Sequence, residues 1–214
     1  MLCVAVVVFG LLAVSASGAT TTTIGQTSAS ANYPCESGNS PGEIDFQTGV
    51  AAGASFVVPA GPWLLTSWST YAGTPGGSMT LLIIRATSVP GTYTVVAKSQ
   101  QQQLTAGVLN TFSARLAVRG GDFLGLWSGG AKCATITGNG SDLNPYQGSS
   151  PEPAVGDTVR PMVFDGYLLH ISASITNSTD QCKSGGWQSF GVFKNQGDCV
   201  SWLATGGKNP PAKP

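Results

Sequence analysis

Gly38-Asn39-Ser40-Pro41-Gly42 fits the G-x-S-x-G nucleophile elbow, and Asp165 and His170 follow it in the chain order of the matching triad. In such an elbow a strained strand-to-helix turn exposes the serine hydroxyl, and the histidine removes its proton. The surroundings argue against that chemistry. "YPCESGNSPGE" is a cluster of turn formers, with no apolar strand before the serine and no helical periodicity after it.

Glycoside hydrolysis would need two facing carboxyl groups, one of them kept protonated. The only glutamates are Glu36, Glu43 and Glu152. Asp122 follows two glycines and Asp142 lies in "GNGSDLNP", where forming a turn is role enough. Calcium would call for an Asp-rich ligand series and zinc for paired Cys or His, and neither pattern occurs. No metal or cofactor is expected. His170, the single histidine, reads as a surface residue of the alternating strand "YLLHISASI".

Aromatic residues offer a different chemistry, because flat rings at strand ends and loops can stack on sugars. The candidates are Trp63, Tyr71, Trp127 and Tyr146, with Trp187 and Trp202 near the C-terminal end. Each has a plain structural alternative, since large rings also cap the ends of a sandwich core. Ten basic and ten acidic residues leave no net charge, so no nucleic-acid or anionic-membrane footprint is present.

The elements that would position these residues are strands. From residue 20 to 176, short β-branched and aromatic runs alternate with Gly, Pro, Asn and Ser, the pattern of an all-β sandwich. "SMTLLIIRA" is apolar on both faces and reads as a central strand. It is joined through Pro90-Gly91 to "TYTVVAKS", whose alternation puts Tyr93, Val95 and Ala97 on one face. "LNTFSARLAV" points Phe112, Ala114, Leu116 and Val118 inward, then "RGGD" turns the chain. About eight or nine such strands predict a two-sheet jelly roll.

Residues 177–214 read as a separate stapled module. Asn195 stands as an N-cap, Asp198 follows three residues later, Cys199, Val200, Trp202 and Leu203 keep helical spacing, and Gly206 is a stop signal. So short a helix is marginal without a staple or a partner surface. Its proline-rich end reads as disordered.

Residues 1–19 read as a signal peptide, an apolar run ending in small residues with cleavage expected after Ala19. Four cysteines follow it, an even number that suits disulfides in an oxidising compartment. Three pairings are open; loop closure favours Cys182 with Cys199, leaving Cys35 with Cys133. The expected protein is secreted and extracellular, with no stable insertion in a membrane.

"TIGQT", "SFVVPAG", "LTSWST", "YTVVAKS" and "VRGGDFLGL" together resemble uncharacterised secreted β-sandwich proteins of actinobacteria. "CKSGGWQSFGVFKNQGDCVSWLATGGKN" is similar to a short C-terminal motif of secreted proteins from such bacteria. The resemblance implies fold and compartment; it brings no activity and no functional residues. The functional expectation is a non-enzymatic sandwich that binds extracellular glycan or cell-envelope material through loop aromatics. A structural or assembly protein is the alternative, and a hydrolase the least favoured. Oligomeric state is left open.

Overall fold

The computed structural model describes residues 18–27, 42–71, 77–130, 134–136, 140–148 and 151–212. The serine of the elbow motif, most of the signal segment and the Cys35–Cys133 pair lie outside the described residues. The framework strands are β1 (Thr21–Gln26), β2 (Glu43–Phe46), β3 (Pro62–Tyr71), β4 (Ser78–Ala86) and β5 (Tyr93–Lys98). After the two-residue β6 (Gln102–Gln103) come β7 (Leu109–Arg119) and β8 (Phe123–Ser128). The connection beyond β8 carries β9 (Ala134–Ile136), β10 (Leu143–Gln147), β11 (Thr158–Val159), β12 (Met162–Asp165) and β13 (Tyr167–Leu169), and the last strand is β14 (Ile171–Thr176).

Antiparallel pairs β1·β14, β2·β8, β3·β7 and β4·β5 nest inside one another like the rungs of one long hairpin. Wrapping that hairpin sends alternate rungs to opposite layers, which gives the sheets β1-β14-β3-β7 and β2-β8-β4-β5. This is the jelly roll that the sequence predicts. β10 and β12 extend the second sheet beyond β2, and β11 extends it beyond β5.

The main core lies between the layers. β4 sends Met79, Leu81 and Ile83 into it, and β7 sends Phe112, Ala114, Leu116 and Val118 from the facing sheet. The expected alternation of "TYTVVAKS" fails at one point. A bulge opposite Ile83/Ile84 inserts an extra residue, so Val95 packs on the far side of the sheet while Val96 and Ala97 pack on the main core. One unpaired residue reverses the facing of everything after it.

The far side of the larger sheet is also closed. Ile44, Phe46, Leu82, Ile84, Val95 and Val159 form a second core there, with the rings of Phe46 and Tyr93 edge to face at 4.7 Å. Curvature makes this enclosure. β11 and β12 stand at opposite ends of the sheet, six strand spacings or about 29 Å apart if it were flat. Yet Val159 and Met162 are three residues apart, a reach of about 11 Å at most. The sheet therefore curls, and a hydrogen bond from Arg160 N to Gln147 Oε1 (2.9 Å) ties the two margins. Glu152 closes the top by accepting from Lys98 Nζ (2.9 Å) and Thr80 Oγ1 (3.2 Å).

The outer face of the smaller sheet is polar along its middle, where Thr23, Ser174, Ser67 and Ser113 fall in one cross-strand row. Towards Pro62 it becomes apolar, and the C-terminal segment covers it. Two 3-10 turns (Thr179–Cys182 and Gly186–Phe190) lead to α1 (Gln196–Ala204), and Cys182 is bonded to Cys199 as spacing favoured. Asn195 caps α1, its side-chain oxygen accepting from Asp198 N at 2.9 Å, and Gly206 at φ +67° takes the left-handed turn that ends it. Phe190, Phe193, Trp202 and both cysteines form one buried cluster with Leu64 of β3. Arg115 of β7 adds a hydrogen bond to Gln181 Oε1 (2.6 Å) and stands over the Phe190 ring. The segment docks on the sandwich.

Candidate functional site

No candidate tryptophan is fully exposed. Trp63 is 8 % exposed in the main core and donates its indole N–H to Pro59 O at 3.0 Å; Trp202 is 4 % exposed inside the C-terminal cluster. Trp127 is half-buried against the second core, and Trp187 is half-buried against the C-terminal cluster. Tyr71 is half-buried and its hydroxyl donates to Gly107 O (2.8 Å). The four candidate tryptophans are divided among three packing clusters. Two shallow clefts also lack ring linings: one is bordered by Lys98, Gln100, Gln102, Ser113, Arg115 and Ser189, the other by Ala60, Pro62, Arg119 and glycines.

Tyr146 lies on β10 with its hydroxyl donating to Glu43 Oε1 at 3.3 Å. Burial, and then the neighbouring Glu43 and Asp45 carboxylates, raise the phenol above its usual pKa, so it remains a donor. Its ring lies edge to face with Phe164, centroids 5.7 Å apart, and Phe164 in turn meets Tyr167 at 6.1 Å. Tyr146 thus supports an edge strand.

The polar residues considered for catalysis have structural roles. Asp122 is fully buried at the turn after Gly121; it holds Arg85 through bonds of 2.6 and 2.9 Å and accepts from Arg119 N at 2.9 Å. Asp142 Oδ1 accepts from Ala51 N (2.8 Å). His170 corrects the sequence reading: it is 2 % exposed, and its carbonyl accepts from Thr70 Oγ1 at 2.6 Å. Alternation points it away from the core, yet the residue, between β13 and β14, is buried. Burial lowers its pKa, which favours neutral imidazole.

The surface that stands out is β12. Met162, Val163 and Phe164 are 64 %, 59 % and 42 % exposed, and the strand ends the larger sheet with no described strand on its outer edge. Successive side chains point to opposite faces, so both faces are apolar. Met162 and Phe164 share one face with Tyr146; Val163 shares the other with Pro145 and the exposed Leu143.

Val163 also has its backbone turned outward. It is opposite Pro145, which has no N–H to exchange, so this pair is a non-hydrogen-bonded one of the ladder. The β10 bonds then come from Met162 and Phe164, and the N–H and C=O of Val163 and Asp165 face the open edge. Sequence reading missed β12. The available signal was "RPMVFDG", a short unbroken apolar run between a proline and a glycine. Compared with known proteins, the chain matches no family model, no curated protein and no solved structure.

Proposed function

We propose that this protein is a secreted, non-catalytic β-sandwich whose work is to bind polypeptide, as an interaction or assembly protein, by adding a strand to the open edge at β12. The observation that carries the reading is the exposure of Met162, Val163 and Phe164 on a sheet edge with no described strand beyond it. Exposed apolar edge strands are pairing templates, which folded proteins normally shorten, charge or cover. Strand addition takes affinity from main-chain bonds and selectivity from alternate side chains. The aromatic glycan platform is the less favoured reading, because stacking on sugar needs open rings, and Trp63 and Trp202 are buried while Trp127 and Trp187 are half-buried. The Cys182–Cys199 bond fits export.

A photoreactive benzophenone amino acid in place of Phe164, expressed in the producing cells, tests this reading. Illumination is expected to give a covalent adduct with a polypeptide. No adduct, or an adduct whose added mass is carbohydrate, would overturn it.

A further inference from the structure

We infer that the polypeptide received at β12 is a second copy of this chain, joined as an antiparallel β12–β12 ladder about a twofold axis. The inference rests on the strand-addition reading above and names its partner. An antiparallel twofold ladder must place one residue opposite itself, because paired residues exchange both backbone bonds or neither. Val163 meets that condition, with its N–H and C=O directed outward. Setting Val163 against Val163 gives two bonds at the centre. The same register puts Asp165 opposite Pro161, where the Asp165 N–H donates to the Pro161 carbonyl once at each end. Proline is asked only to accept.

The side chains suit that register. Met162 of one copy is opposite Phe164 of the other, twice, so two exposed apolar side chains cover each other at each end of one face. Val163 covers its symmetry mate on the other face, beside Leu143. The charges choose the direction: Arg160 precedes the apolar run and Asp165 ends it. Antiparallel pairing brings each cation to the end that holds the other copy's anion, whereas parallel pairing would set like charges together. No ion pair among the described residues engages either one. Twofold pairing uses this edge on both copies, so the assembly closes as a dimer instead of growing.

Sedimentation equilibrium of the purified, disulfide-bonded chain tests the inference. So short a ladder is at the weak end of interfaces, and the mass is followed from micromolar to millimolar protein. The expected result is a rise to twice the chain mass. Val163→Pro removes the outward N–H without touching the β10 ladder and is expected to raise the dissociation constant about 100-fold, two bonds being lost. Val163→Thr keeps that N–H and should still dimerise. Asp165→Lys should weaken the dimer, and Arg160→Glu added to it should restore it. A wild-type chain that stays monomeric throughout, or a Val163→Pro dimer of unchanged affinity, overturns the inference. If the purified chain is monomeric while the benzophenone at 164 captures a different polypeptide, the second copy is rejected and strand addition stands. If neither association occurs, both fall.

Discussion

The C-terminal segment and the β12 edge are both apolar, yet one is consumed and the other left open. Residues 177–212 hold Trp187, Phe190, Phe193 and Trp202, and those rings pack on one another, on the disulfide and on Leu64. β12 has a single ring, Phe164, and exposes it with Met162 and Val163. Aromatic density in a short segment therefore measures how much core that segment must build for itself. What remains for a partner is decided by whether the fold supplies a covering element, and among the described residues the sandwich has one over Leu64 but none over β12.

Removing the consumed surface should have the largest effect. Trp202→Ala is expected to cost about 3–5 kcal/mol, a transfer loss plus a cavity beneath the helix, read from urea unfolding. A loss below about 1 kcal/mol would mean that the segment lies loosely on β3 and that the two surfaces are alike. Severing the staple comes next. Cys182→Ser with Cys199→Ser is expected to cost about 3 kcal/mol in the chain-entropy account of a loop this short. Hydrogen exchange should then show protection lost across α1 and the 3-10 turns and kept in β3 and β14. Equal loss everywhere would show that the segment and the sandwich unfold together.

The parts of this contrast that were legible in the sequence are the local ones. Asn195, Asp198 and Gly206 mark the helix because caps are read from a few adjacent residues. "SMTLLIIRA" announces a strand covered on both faces because an unbroken apolar run has no wet side to offer. Facing was lost wherever a distant partner sets it. The bulge opposite Ile83 and Ile84 turns Ala97 away from Val95, and nothing within "TYTVVAKS" records it. Alternation assigns His170 to solvent, but alternation says nothing of what the rest of the chain buries, and the residue is 2 % exposed. β12 went unseen for the related reason that exposure depends on sheet order: "MVF" would be core in the middle of the sheet and is surface only because β12 is last. Trp63 and Trp202 show the opposite case, since their size invites a ligand while the fold buries them in its cores.

The smallest expected effect sharpens the comparison most. Met162→Thr replaces the most exposed side chain of β12 with a residue that keeps strand propensity, so folding stability should change by no more than about 0.5 kcal/mol. Trp202→Ala and Met162→Thr each remove one apolar side chain, and by this account their costs differ several-fold because only the first is buried in the single chain. The measurement belongs in dilute protein, where association adds nothing to stability. A cost near 2 kcal/mol under those conditions would place Met162 against something within the same chain, and the edge would then be covered after all. A negligible cost in dilute solution that grows with protein concentration would instead locate the covering element in another molecule. That growth is what separates an edge that is merely apolar from one that is used.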